Sequence, residues 1–215
     1  MPASEGIGAL APLLLRPEAS ERVVLEVRAQ VGAAPDPATI QHLVETLRAV
    51  SGKLVSVDAR QVPGAGQDWN ARALTDLADQ QSAHDQGGSQ AVVRLLFLHG
   101  TYEGSRAVLG AAVRSDVAAM FSDQITNAAG LFTGRRAVET AVTTHEVGHL
   151  LGLVDLVVDA GRGDPDHPGH SRNPRSVMYW AVESDAISQL FGGPLPIAFD
   201  ADDLAELSAI RSGPQ

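Results

Sequence analysis

The spacing of apolar residues along the chain predicts an alternation of strands and helices. Val23, Leu25 and Val27 alternate with charged residues, which is typical of a strand that buries one face. Apolar residues then recur every three or four positions over 40–50, which indicates an amphipathic helix that Gly52 ends. The same reasoning predicts further strands at 54–57, 91–98, 108–113 and 117–121 and further helices at 68–83, 136–150 and 200–210.

Two stretches depart from simple periodicity. Residues 91–98 are almost continuously apolar, so we expect a central strand that is covered on both faces. Residues 153–169 are rich in aspartate, glycine and proline, which favours an irregular segment. We therefore predict an α+β (α/β-like) fold in a single domain with a twisted mixed β-sheet. Its parts would be an N-terminal tail at 1–20, an N-terminal subdomain at 21–152 and a C-terminal subdomain at 153–215 that ends in a helix.

The composition removes several classes of protein and of site. The 215 residues carry a formal net charge of −10, so polyanions would be repelled and nucleic acid is not an expected partner. There is no cysteine, which excludes disulfides, thiol nucleophiles and cysteine-ligated metals. Any metal site must therefore be built from histidine and carboxylate side chains.

The first twenty residues do not have the pattern of a signal peptide, because their apolar patch follows no basic region. We expect a mobile tail that packs a few leucines onto the domain. No apolar run approaches the roughly 20 residues that span a bilayer, so no membrane span is expected. The protein would be a soluble monomer, cytoplasmic if this is the full natural chain and extracytoplasmic if a leader or an anchor has been removed.

The chemically informative motif is His-Glu-Val-Gly-His, which begins at His145 and ends at His149. Two histidines four positions apart lie on one helix face, so both imidazoles can reach one tetrahedral metal ion. Glu146 projects beside that position, where it can take a proton from water on the metal. A chain of this composition would contain the pattern by chance on the order of 0.01 times. The motif therefore predicts a zinc site with Glu146 as the catalytic residue.

The longer run HEVGHLLGLVD, from His145 to Asp155, is followed downstream by Ser-Val-Met-Tyr, which ends at Tyr179. Together they resemble the metzincin zinc metalloproteases, whose motif is HExxHxxGxxH followed by a methionine-containing turn, the Met-turn. The resemblance implies a metzincin-like catalytic domain with an active-site helix. It also implies that the chain leaves this helix at Gly152 to bring a third ligand to zinc, and that Met178 lies in the turn beneath the metal.

The third zinc ligand is where the sequence departs from that pattern. Asp155 stands where the metzincin motif has histidine, and aspartate at this position is known in the snapalysin-like branch of the clan. The run HSRNPRSVM, which begins at His170, resembles the archaemetzincin segment H-C-x-N-P-x-C-V-M, whose first histidine is the third ligand. That resemblance favours His170, with Asp155 as the alternative and His167 as a further one.

Serines replace both cysteines of the archaemetzincin segment, at Ser171 and Ser176. We therefore expect the second, cysteine-bound zinc of archaemetzincins to be absent. Carboxylates of the irregular segment could bind calcium instead, but their spacing matches no EF-hand loop, so we favour a solvated surface loop. The aspartates concerned are Asp155, Asp159, Asp164 and Asp166.

These features predict a zinc-dependent endopeptidase that acts on protein or peptide substrates, with Glu146 as general base and then general acid. The resemblance implies an extended substrate that pairs with an edge strand, for which 108–113 is the candidate. One alternative is a gluzincin-like peptidase in which a later glutamate, Glu183, completes the site. Another is a zinc-holding binding module without proteolytic activity, which would not need the carboxylate of Glu146.

Overall fold

A mostly parallel sheet forms the centre of the fold. The computed structural model describes residues 6–129, 134–185, 187 and 194–213. The strands are β1 (Arg22–Gln30), β2 (Leu54–Val62), β3 (Gln67–Trp69), β4 (Gln90–Leu98), β5 (Gly100–Tyr102), β6 (Gly110–Arg114) and β7 (Val117–Phe121). The main sheet has the order β2-β1-β4-β7-β6, in which every pairing is parallel except that of β6 with β7. A smaller sheet pairs β3 with β5 in parallel.

Helices cover both faces of the main sheet. They are α1 (Ala11–Leu15), α2 (Pro37–Ser51), α3 (Ala71–Gln80), α4 (Ser122–Ala128), α5 (Arg135–Leu150), α6 (Ala201–Ser212) and a 3₁₀ helix at Trp180–Glu183. On one face, Leu43 of α2 and Val142 of α5 join a core with Leu95 of β4. On the other face, Leu74 of α3 packs in a core with Leu96 of β4. This arrangement confirms the predicted α+β class with a mixed sheet.

The prediction that β1 buries only one face is wrong. β1 lies between β2 and β4, and each of its residues after Arg22 is buried. Its charged side chains are paired inside the protein, because Glu26 forms ion pairs with Arg28 of the same strand and with Arg94 of β4, each at 3.3 Å. The alternation of polar and apolar residues in β1 therefore marks an internal ion-pair network instead of a solvent-exposed face.

The described part of the predicted tail contributes to the core. In α1, Ala11, Leu14 and Leu15 are almost completely buried and belong to the main apolar cluster. At the other end of the chain, Asp200 caps α6 as predicted, since its carboxylate accepts hydrogen bonds from the backbone N–H groups of the first turn. No helix among the described residues is both long enough and apolar enough to span a membrane.

The bounds of some helices and strands differ from those that the spacing of apolar residues predicts. The predicted helix at 68–83 is shorter, because residues 67–69 form β3 before α3 begins at Ala71. The strand predicted at 108–113 is β6, shifted by one or two residues, and it lies at the edge of the main sheet. α5 begins at Arg135 and ends at Leu150, close to the predicted bounds. It packs against β6 and β7, which sets the position of the candidate site.

Candidate metal centre

α5 carries two of the candidate ligands on one side. His145 and His149 are one helical turn apart, and their ring centroids are separated by 4.7 Å. Their Nε2 atoms lie 3.0 Å from each other, and both side chains are buried. The helix therefore directs two imidazole nitrogens to one point, as the spacing in the sequence predicts.

The orientation of the first imidazole is fixed by a residue that lies well after α5 in the chain. His145 Nδ1 lies 2.7 Å from the backbone carbonyl oxygen of Val177. A carbonyl oxygen can only accept a hydrogen bond, so Nδ1 carries the proton and donates it. The lone pair of Nε2 is therefore available to a metal ion, which is the usual arrangement of a metal-binding histidine.

The chain brings His170 to the same point by a different route. Gly152 has a φ of 82° just after α5, and this left-handed conformation turns the chain out of the helix. Within the irregular segment, the backbone N–H of Asp164 donates to the carbonyl oxygen of His170, which follows that segment, at 2.7 Å. The His170 ring centroid lies 5.2 Å from that of His145 and 5.0 Å from that of His149. The structure thus brings together the three histidines that the sequence favours.

The carboxylate of Glu183 lies against the three imidazoles. Its Oε1 is 3.2 Å from His170 Nε2, and its Oε2 is 3.7 Å from His145 Nε2. One ligand atom from each of these four residues, His149 included, lies within 4.8 Å of the others. Burial alone would raise the pKa of Glu183, but the nearby imidazoles of His145 and His170 hold it well below its ordinary value. The group therefore offers three nitrogens and one anionic oxygen.

Glu146 is buried next to this group. Among the described residues, neither of its carboxylate oxygens has a hydrogen-bond partner with good geometry. Burial raises the pKa of Glu146 well above its ordinary value, and the negative charge of Glu183 raises it further. Both oxygens are therefore free to bond to a molecule that enters the site.

The chemistry of the four donors fits a zinc ion. Burial, and then the charges of His145 and His170, lower the pKa of His149 well below its ordinary value, so its imidazole is held neutral. Neutral imidazoles and a carboxylate are ordinary ligands of zinc. Both ring nitrogens of His170 are buried without a hydrogen-bond partner of good geometry in the described part of the chain, so a nitrogen of this imidazole is available to a metal ion.

Met178 lies directly under α5. Its side chain is fully buried, and a Cβ atom built on Gly148 would lie 2.3 Å from the Met178 sulfur. Glycine at position 148 therefore allows the methionine to approach the helix between the two histidines. The turn is held by Ser176, whose Oγ accepts the Met178 N–H at 3.0 Å, and by the Ser171 N–H, which donates to the Met178 carbonyl at 2.8 Å.

The two other candidates for the third ligand lie outside the group. The Asp155 carboxylate is exposed and accepts backbone N–H groups of the irregular segment, from Ala160 at 2.7 Å and from Gly163 at 2.8 Å. His167 stacks on Trp180, with ring centroids 4.5 Å apart. Asp155 thus stabilises the fold of its own segment.

The aspartates considered for calcium do not form a group of possible metal ligands among the described residues. A second group, Glu26, Asp58 and His84, does meet that geometric criterion. Arg28 forms ion pairs with both of its carboxylates, at 3.3 Å with Glu26 and at 3.1 Å with Asp58. The positive charge of the Arg28 guanidinium already offsets the charge of these carboxylates, so this second group is a poor cation site.

Sequence reasoning did not find the close approach of β6 to the site. A Cβ atom on Gly110 would lie 2.7 Å from Glu146 Oε1 and 2.7 Å from Val142 Cγ1. Because position 110 is glycine, the edge strand β6 can pack directly against Glu146. A glycine within the strand predicted at 108–113 was the available signal, since glycine in strands often marks a close approach.

Comparison with known proteins identifies solved structures of the same fold. Neither a protein-family model nor a curated protein matches the chain. The archaemetzincin from Methanopyrus kandleri is 19% identical with a TM-score of 0.55, over 87% of this chain and 94% of that one. A zinc-dependent peptidase from Methanocorpusculum labreanum is 15% identical with a TM-score of 0.51, over 85% of this chain and 99% of that one. At such identities the likeness shows the fold, and the chemistry has to be argued from the site.

Proposed function

We propose that this chain is a zinc-dependent endopeptidase of the metzincin type that hydrolyses proteins or peptides. The observation that carries the proposal is the convergence of three imidazoles from two separate segments, with a buried carboxylate beside them. These groups belong to His145, His149 and His170 and to Glu146. The likeness of the fold to zinc-dependent peptidases is consistent with this reading.

His145, His149 and His170 would hold the zinc ion. The position of the Asp155 carboxylate supports His170 as the third ligand, because that carboxylate is already engaged by backbone N–H groups. When bound, Zn²⁺ lowers the pKa of a coordinated water toward neutrality and polarises the carbonyl group of the substrate.

The residues of the chain would perform the remaining steps. Glu146 accepts the proton of the attacking water at its carboxylate and passes it to the leaving amine. Its buried carboxylate has no other hydrogen-bond partner of good geometry among the described residues, so both oxygens can face that water. β6 lies next to Glu146 at the edge of the sheet, and in the described part of the chain no strand pairs with its outer side, so an extended peptide can pair there.

The position of Glu183 favours a second candidate, a gluzincin-like peptidase in which Glu183 replaces His170 as the third protein ligand. Backbone hydrogen bonds hold this glutamate near the site, since the Leu109 N–H donates to the Glu183 carbonyl and the Asp185 N–H to the Ala107 carbonyl, each at 2.8 Å. Zinc affinity separates the two candidates. We expect His170→Ala to weaken zinc binding more than Glu183→Ala, and the reverse order would establish the gluzincin-like site.

Activity of the zinc-loaded chain tests the peptidase itself. We expect cleavage of casein or of a peptide library that a chelator abolishes. Glu146→Gln should lower the rate by about 10²- to 10⁴-fold while zinc remains bound. Glu45→Gln, on the exposed side of α2, is the matched control and should keep full activity. A zinc-loaded chain without chelator-sensitive cleavage across broad substrates would instead be the zinc-holding binding module.

A further inference from the structure

A buried group of charges lies behind the segment that carries His170. Arg162, in the irregular segment, inserts its guanidinium between Asp203 and Glu206 of α6. Its Nε lies 2.6 Å from Glu206 Oε2, and its Nη2 lies 2.7 Å from Asp203 Oδ1. Both carboxylate side chains are fully buried, and that of Arg162 is 13% exposed. We call these three residues the Arg162 cluster.

The Arg162 cluster fixes the start of the irregular segment. Glu206 also accepts the backbone N–H groups of Val154, at 3.1 Å, and of Asp155, at 2.9 Å. These two residues have φ values of 60° and 64°, a left-handed conformation that is costly for a β-branched residue such as valine. The same carboxylate therefore holds Arg162 and stabilises the unusual turn just after Gly152.

The backbone at 162–164, which we call the Arg162 segment, pairs with the backbone at 170–172, which contains His170. The Arg172 N–H donates to the Arg162 carbonyl at 3.2 Å, and the Asp164 N–H donates to the His170 carbonyl at 2.7 Å. On the other side, the Ser171 N–H donates to the Met178 carbonyl at 2.8 Å. The backbone at His170 is thus held between the Arg162 segment and the Met178 turn. Arg162 ties the first of these to α6, and the Ser176 hydroxyl, which donates to Asp203 at 3.4 Å, ties the second.

We propose that Arg162 is a positioning residue for the metal centre: its pairing with Asp203 and Glu206 fixes the segment that sets the position of the His170 imidazole. The inference rests on the proposed function, because it takes His170 as a zinc ligand. A buried ion pair is often no more stabilising than apolar packing, but its fixed geometry can specify one arrangement of the chain. A planar guanidinium spans two carboxylates in a way that the ammonium of lysine does not.

The test is a double-mutant cycle on zinc affinity, measured by competition with a chelator. Arg162→Met should weaken Zn²⁺ binding by roughly 10- to 100-fold, as expected for residues that orient metal ligands. In the His170→Ala background, Arg162→Met should have almost no further effect, because the ligand that it positions is gone. Arg175→Met is the matched control, since the Arg175 side chain is exposed in the run between His170 and Met178 and its loss should leave zinc affinity unchanged.

If Arg162→Met does not fold, Arg162→Lys and the absorption spectrum of the Co²⁺-loaded protein test the positioning role instead. Arg162→Lys retains the charge and should weaken binding by an intermediate amount. The visible absorption of the Co²⁺-loaded Arg162 variant should shift toward that of His170→Ala. Unchanged zinc affinity in both Arg162 variants, or equal losses with and without His170, would overturn the positioning role alone. Absence of zinc binding by the unaltered chain would overturn the proposed function and the positioning role with it.

Discussion

The region up to Leu150 and the region that follows it are stabilised by different kinds of contact. In the first region, apolar side chains are buried on both faces of the main sheet, including Leu95 and Phe97 of β4. In the second region the backbone mostly follows turns, and carboxylates bond to its N–H groups. Asp155 accepts three such bonds and Glu206 accepts two.

This difference determines what a single substitution can do. Apolar burial in the sheet is shared by many residues, so its loss at one position lowers the stability of the whole domain. A polar contact in a turn fixes a few residues, so its loss moves those residues while the sheet stays folded. Apart from the proposed ligands on α5, we therefore expect substitutions in the first region to change unfolding, and substitutions in the second to change zinc binding.

The largest expected effect comes from the apolar core. Phe97→Ala removes a fully buried ring from the central strand and should lower the free energy of unfolding by about 3–5 kcal/mol. Urea denaturation followed by circular dichroism measures this change. The fraction that remains folded should bind zinc with unchanged affinity. Val31→Ala, at an exposed residue just after β1, is the control and should stay within about 0.5 kcal/mol of the parent.

The same difference explains how much of the structure could be predicted. The continuous apolar run of β4 and the helical spacing of α2 depend on local periodicity, so their positions follow from the sequence. His145, Glu146 and His149 were predictable because one helix holds all three.

The contacts of the second region depend on residues that are distant in the sequence. Arg162 meets Glu206 across more than forty residues, and the approach of Glu183 to His170 depends on the path of the intervening chain. No pattern within a short window encodes such pairs. His170 was placed by resemblance to a family segment, and spacing alone did not separate it from Asp155.

The second prediction lies at the junction of the two regions. Gly148→Ala places a methyl group within overlap distance of the Met178 sulfur, and the overpacking should cost about 1–3 kcal/mol of stability. Zinc affinity should also fall, because the Met178 turn carries the Val177 carbonyl that orients His145. Thermal unfolding and chelator competition measure the two effects. The same change in a Met178→Ala background should cost much less, and an equal cost there would show that contact with Met178 is not the cause.

The third prediction concerns Ser176, whose hydroxyl makes two hydrogen bonds at the turn. Ser176→Ala removes the acceptor of the Met178 N–H and the donor to the Asp203 carboxylate, and should lower the free energy of unfolding by about 1–2 kcal/mol. Zinc binding should weaken more than this small loss of stability suggests, because the turn supports His145. Ser208→Ala, on the exposed side of α6, serves as the control. A variant of normal zinc affinity would mean that the turn keeps its place without the serine.

The smallest expected effect comes from a charge pair on the surface of the first region. The His99 imidazole lies 2.7 Å from the Asp123 carboxylate, and this hydrogen bond, together with one to the Val31 carbonyl, raises the pKa of His99. A raised pKa in the folded state means that the pair stabilises the fold when His99 is protonated, and that this contribution is lost as the pH rises through the folded pKa. Asp123→Asn should therefore lower stability by roughly 0.5 kcal/mol at about pH 5.5 and by less at about pH 8.5, since both groups are partly exposed. The Arg162 guanidinium keeps its charge over this pH range. The difference in free energy of unfolding between Arg162→Met and its parent should therefore not change as His99 is protonated. Equal losses in Asp123→Asn at both pH values, measured by urea denaturation, would show that the surface pair acts through hydrogen-bond geometry, as the buried pairs of the second region do.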